Sequence, residues 1–213
     1  MKKKKCVIDG KWIGCGHPVR ALILDNNPLS IASYFEFDEN NPNNLCIDCW
    51  EKDIKRKSWL DLPNTIKFYR TTGDYGFLSN LFKCQVVFEG KRFPTAEHAY
   101  QYGKFIDRKV ADWAMQAPKP HLLCIIAHGL FPYDVVKNWN EIKVSRMKDV
   151  LTAKFTQDIA MGYELVETKD LVLIENSKSD SFWGCGKKGT GQNTLGMLLM
   201  ELREKLKKGG SNT

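Results

Sequence analysis

Gln85-Val86-Val87-Phe88-Glu89-Gly90-Lys91-Arg92-Phe93-Pro94-Thr95-Ala96-Glu97-His98 reads as two short strands joined by a tight turn and followed at once by a helix. Glu89-Gly90 between the two runs is a hairpin signal. Pro94-Thr95 opens the helix, with Thr95 as N-cap and Glu97 in the first turn, where its charge suits the helix dipole. On that helix Glu97, Gln101 and Lys104 fall at i, i+4 and i+7, so a carboxylate, an amide and an amine share one face, with Tyr100 beside them. An exposed face of ordinary charged residues has the same spacing. The aromatic and small neighbours Ala96, Ala99, Tyr102 and Phe105 read as packed flanks and point to a cleft.

Upstream, Ile66 to Tyr69 predicts a short strand, followed by the turn-rich Thr71 to Gly76 and then Phe77-Leu78-Ser79-Asn80-Leu81. Downstream, Asn138-Trp139-Asn140-Glu141 begins a helix whose core stripe is Val144, Met147, Leu151 and Phe155. Trp139 and Lys143 lie one turn apart off that stripe, a pair suited to a flat heterocycle beside a phosphate or to plain packing. Leu171 to Glu175 is a buried-strand run. The glycine-rich stretch Gly184 to Gly191 carries Lys187 and Lys188 and leads into a last helix, capped by Asn193 or Thr194, with Leu195, Leu198, Leu199, Leu202 and Leu206 on one side. It contains Gly-x-Gly-x-x-Gly but has no room for a second Rossmann strand, and it lacks the Gly-Lys-Ser/Thr of a Walker loop. A flexible, basic backbone before a helix start remains a good anion cradle.

The 213 residues allow one ordinary core plus a small satellite. With 43% hydrophobic and 27% charged residues the composition is globular, which sets aside disorder and membrane embedding. The apolar stretch Leu122 to Leu130 is broken by His128 and Gly129 and is too short to span a bilayer. The basic start Met1 to Lys5 has no apolar region behind it, so a cytoplasmic protein without membrane partners is expected. Net charge is +7, and residues 1–63 contribute little of it, with 10 Lys/Arg against 9 Asp/Glu. The basic excess therefore lies in the larger part, which fits a phosphorylated ligand, a nucleic acid or simple solubility.

Four of the seven cysteines fall in the first 50 residues. Cys46-Ile47-Asp48-Cys49 has the Cys-x-x-Cys spacing of a zinc knuckle, and Cys15-Gly16-His17 offers a second pair. Cys6 competes with His17 for the fourth position. A polar segment of this size needs such a staple, so residues 1–63 are expected to form a small zinc-ribbon-like module with one structural zinc. No Ser/His/Asp order or nucleophile elbow is present, which leaves carboxylates and a lysine for chemistry.

Phe68-Tyr69, Tyr75-Gly76-Phe77-Leu78-Ser79-Asn80, Gly90 to His98 with Gln101 and Lys104-Phe105, Lys137-Asn138-Trp139, Lys154-Phe155, Leu173-Ile174-Glu175, Asp180 to Gly184 and Asn193 to Met200 together resemble the YbiA-like, or NADAR, family. They run in family order from about residue 66 to 207 and depart from the pattern at Leu81 and Cys185. The resemblance implies an α+β enzyme over residues 64–207, leaving 208–213 as a flexible tail, that cleaves N-glycosidic bonds of ribose and needs no organic cofactor. Its implied substrates are ADP-ribose on guanine of nucleic acid, expected first, or ribosylamino-pyrimidine phosphates of the riboflavin pathway. A non-catalytic ADP-ribose or NAD binder is the competing class. Carried over, Glu97 is an acid/base, Lys104 a nucleophile candidate and Asp180 a second carboxylate. Trp139 and Trp183 would stack the base or sugar. Ser79, Asn80, Gly184, Gly186 and Asn193 would line the sugar-phosphate side, and Tyr69, Gln101 and Lys143 complete the substrate contacts.

Elemental analysis is expected to find about one zinc per chain, and none once Cys46 and Cys49 are both changed to Ser. A folded, metal-free wild type would overturn the ligand set.

Overall fold

The computed structural model describes residues 5–8, 11–14 and 58–210. The expected zinc ligands Cys15, His17, Cys46 and Cys49 lie outside the described residues. The alternative ligand Cys6 sits in β1 (Lys5–Ile8), which pairs antiparallel with β2 (Lys11–Gly14) so that Cys6 faces Ile13 in the register. Among the described residues no group of three or more His, Cys, Asp or Glu side chains could hold a metal, and no helix is long and apolar enough to cross a membrane.

The chain divides into two compact units, Met1–Lys67 with Val172–Glu201 and Phe68–Leu171 with Leu202–Thr213. In the first, a 3-10 turn at Trp59–Asp61 is capped by the Ser58 hydroxyl, which accepts from Leu60 N at 3.1 Å. The buried Trp59 fastens the glycine-rich loop, donating its backbone N–H to Gly189 O at 2.8 Å and its indole N–H to Gly191 O at 2.7 Å. Strand β3 (Thr65–Phe68) pairs with a later strand, Val172–Glu175, in which Leu173 and Ile174 are fully buried.

The second unit contains the expected hairpin, β4 (Val86–Phe88) and β5 (Lys91–Phe93), in the register Val86↔Phe93, Val87↔Arg92, Phe88↔Lys91. Glu89 and Gly90 both take positive φ, 49° and 73°, which matches the two left-handed positions of a tight hairpin turn. Helix α1 (Ala96–Tyr102) follows, and the Thr95 hydroxyl accepts from His98 N at 3.3 Å as its cap. Then come α2 (Arg108–Ala114), capped by Asp107, and α3 (Pro120–His128), begun by Pro120 in the first turn, where a missing N–H is harmless. Next are α4 (Trp139–Gln157) and α5 (Ile159–Glu167), whose cap Asp158 accepts from Met161 N at 3.0 Å. The later strand is β6 (Val172–Glu175), and α6 (Thr194–Gly210) ends the described chain. Helix α6 thus runs three residues past the 207 boundary, into the stretch 208–213 read from sequence as a tail.

Helix α4 organises its unit. Of its sequence-read stripe, Met147, Leu151 and Phe155 are buried and Val144 half-buried. Arg146 closes the end of α1, donating to Tyr100 O at 3.0 Å and Ala99 O at 2.7 Å, and forks onto the Glu89 carboxylate at 2.7 and 3.1 Å. Helix ends leave such carbonyls unpaired, and a cation there suits the dipole. Gln157 pairs through its side-chain amide with both backbone groups of Val87, at 2.9 and 2.7 Å. Lys154 is 1% exposed, and its ammonium donates to Phe77 O at 2.5 Å and Ser79 O at 2.9 Å.

Burial pulls the Lys154 amine down to about 8 from an ordinary value of 10.5. A base whose folded value is depressed binds fewer protons in the native state between those two values, so its linkage makes native stability rise with pH across that window. Replacing it by Met removes this titration and leaves Phe77 O without its donor and Ser79 O with only the Phe82 N–H, at a cost of about 2–5 kcal/mol. Urea unfolding is therefore expected to show Lys154→Met destabilised at pH 7, with the gap to wild type widening from pH 8 to 10.5.

Candidate active site

Glu97 stands in the first turn of α1 because Thr95 fixes where that helix starts, and α1 packs against α3 and α4. Its Oε1 accepts from Gln101 Nε2 at 2.8 Å and from the Cys124 thiol of α3 at 3.4 Å. Burial is the dominant influence and raises the carboxyl above the usual carboxylate range. Gln101, Cys124, the charge of His128 and the Asn80 amide each pull the other way.

Lys104 is placed after the helix has ended, by a turn in which its backbone N–H donates to Gln101 O at 2.9 Å. Its amine donates to Ala127 O of α3 at 2.5 Å. Burial lowers the Lys104 amine, and the nearby Glu97 charge partly restores it. Gln101 meets Glu97 across the i, i+4 spacing read from the sequence, whereas Lys104 lies beyond the helix, and both Glu97 and Lys104 reach groups of α3.

Ser79 and Asn80 are both 6% exposed and arrive on the loop that Lys154 anchors. The Asn80 amide nitrogen lies 3.1 Å from Met147 Sδ, a weak acceptor. Asn80 Oδ1 and Gln101 Oε1 are buried and have no hydrogen-bond partner among the protein's own groups. A buried carboxyl flanked by two unpaired amide oxygens offers acceptors to a ligand rich in hydroxyl or amine donors.

Trp139 is 8% exposed and packs against Tyr100 with ring centroids 5.1 Å apart, so the structure places it as a core anchor. Lys143 reaches Asn140 Oδ1 at 3.3 Å, and Tyr69 is 54% exposed. Asp180, Trp183, Gly184, Gly186 and Asn193 belong to the other unit. One oxygen of Asp180 accepts from the backbone N–H groups of Phe182 and Trp183, both at 2.8 Å, and so shapes the turn in which Trp183 meets Phe182 edge to face. Gly186 has φ +68°, and Gly184 leaves its Cβ space to Ser177 and Glu175. Asn193 is fully buried with both amide atoms in use, accepting from Glu175 N and donating to Leu173 O at 2.9 Å each, which makes it a brace between β6 and α6.

Cys124 and His128 were missed by sequence reasoning. Their spacing is i, i+4, one face of a helix, and it becomes visible once Pro120 is taken as a helix start. A cleft of about 610 Å³ in the same unit, lined among others by Lys83, Cys84, Asp158 and Glu164, includes none of the expected site residues.

The described chain is a mixed α and β fold carrying a buried acid, amide and thiol cluster beside a lysine. It belongs to the NADAR domain family, whose model matches residues 67–207, close to the span over which the sequence resembles it. The N-glycosidase YbiA of Escherichia coli K12 is 37% identical over 141 residues, 66% of this chain and 88% of that protein. An N-glycosidase of Nostoc punctiforme is 31% identical over 146 residues, covering 67% and 93%. A riboflavin biosynthesis protein of Vibrio vulnificus is 32% identical over 162 residues, 76% of this chain and 42% of the relative. The NMR structure of E. coli YbiA superposes with a TM-score of 0.64 at 35% identity, covering 71% of this chain and 90% of that one.

A carboxyl whose value is raised on folding keeps its proton in the native state where the unfolded chain has lost it, so it costs stability as pH rises above the ordinary 4.5. Glu97→Gln keeps the shape and removes the titration. Thermal denaturation should show the variant melting higher than wild type at pH 8, with the gap closing below pH 4.5.

Proposed function

We propose that this chain is an N-glycosidase that breaks the bond between ribose C1′ and the nitrogen of a base. The observation that carries the reading is the buried Glu97 carboxyl between two buried amide oxygens lacking partners. A carboxyl whose proton is held more tightly because burial disfavours its charge suits delivery of a proton to the departing base nitrogen. The amide oxygens of Asn80 and Gln101 suit the hydroxyl donors of the sugar.

Lys104, with its amine lowered by burial, suits attack on C1′ after the sugar ring opens to an imine, so that the base leaves as a free amine and a Schiff base forms. Direct hydrolysis through an oxocarbenium-like state, with Glu97 as the proton donor, is the other route. A zinc-bound N-terminal module is proposed for support.

Within this class, ADP-ribose on guanine of nucleic acid is the proposed substrate, consistent with the basic excess after residue 63. Ribosylamino-pyrimidine phosphates form a second reading, favoured by the riboflavin biosynthesis names of the Vibrio vulnificus relative and of a chloroplastic Zea mays relative 31% identical over 157 residues.

The deciding experiment is a side-by-side turnover assay on ADP-ribosylated-guanine DNA and on the ribosylamino-pyrimidine phosphate. Glu97→Gln is expected to lower kcat by about 100-fold or more. Borohydride added during turnover should trap a sugar adduct on Lys104; active enzyme without an adduct would favour direct hydrolysis. Ligand binding with no turnover of either substrate would sink the enzyme reading and leave a binding module.

A further inference from the structure

Cys124 differs from Cys84 and Cys185 in what it touches. Its Sγ donates to Glu97 Oε1 at 3.4 Å, the same oxygen that Gln101 reaches at 2.8 Å. Burial, together with the Glu97 charge, pushes the Cys124 thiol far up, so it stays protonated and acts as a donor, where a nucleophile would need the thiolate.

The other groups around Glu97 are accounted for. Lys104, just past α1, is turned onto Ala127 O. His128 acts on Glu97 only through its charge, and Asn80 through its amide. On the α4 side, Arg146 is committed to the carbonyls of Ala99 and Tyr100 and to Glu89. Two donors, one of them from a different helix, therefore converge on Oε1, and with the Asn80 amide as a further donor to the carboxyl its plane is held about the last rotatable bond.

We propose that Cys124 is a positioning residue for Glu97: with Gln101 it occupies Oε1 and so turns Oε2 toward the substrate as the oxygen that carries the transferred proton. The proposal rests on Glu97 being the acid/base of the N-glycosidase, so its test includes a readout that needs no turnover.

The side-chain carboxyl of Glu97 is followed by carbon-13 NMR of glutamate-labelled protein and assigned by its absence in Glu97→Gln. Removing a donor to a buried carboxylate favours the protonated form, so Cys124→Ala is expected to raise the Glu97 titration by about one pH unit. Cys124→Ser, nearly isosteric and still a donor, should titrate at or below the wild-type value. The limb of the kcat/KM profile that disappears in Glu97→Gln should move with it in both variants, while KM changes little. An unmoved Glu97 titration in folded Cys124→Ala would overturn the proposal, and so would equal shifts in the Ala and Ser variants, which would mean that volume and not the donor matters. A titration that moves while no limb follows would remove Glu97 as the working acid and leave the Cys124 bond standing, so the two failures are distinguishable.

Discussion

The ammonium of Lys154, held in a dry interior by two main-chain carbonyls, is the constraint on which the second unit turns. A buried charge with no partner is prohibitive, so the loop from Phe77 to Asn80 must come to the lysine. That same loop sets Ser79 and Asn80 beside Glu97. Four residues of α4 repeat this principle along one helix: Arg146 gathers the end of α1, Met147 meets Asn80, Lys154 gathers the loop and Gln157 gathers the hairpin. A regular helix thereby acts as a ruler, and irregular segments take their positions from it.

The Glu97 cluster shows the opposite balance. Stability favours pairing every buried polar atom, yet this small volume holds a carboxyl raised by burial, an amide nitrogen aimed at sulfur and two amide oxygens without partners. Local strain against the rules of satisfaction is what binding and catalytic sites carry. The surrounding well-paired groups, Arg146 and Lys154 in particular, are what allow the fold to hold it.

Much of this was legible beforehand. The hairpin at Glu89-Gly90, the Thr95 cap, the shared face of Glu97 and Gln101 and the core stripe of α4 follow from turn chemistry and helical period, which act over a few residues. The family span was readable because spaced motifs agree in order. What escaped was non-local. In sequence the segment of helix α3 reads as an apolar stretch broken by His128 and Gly129 and not as a helix, so Cys124 and His128 look like scattered residues. For Trp139 the sequence leaves packing and ligand stacking both open, and for Asn193 likewise an amide looks the same in sequence whether it meets a substrate or braces the interior. In the structure their partners are Leu173 and Glu175 for Asn193 and Tyr100 for Trp139.

The Gln157 side chain has a consequence beyond its own unit. A two-stranded hairpin has open rims, and an open rim is a template on which another chain's strand can grow. At Val87, whose side chain is 44% exposed, the glutamine amide occupies the backbone N–H and C=O together, as a neighbouring strand would. One side chain thus stands in for a missing strand and makes that rim a poor seed for aggregation.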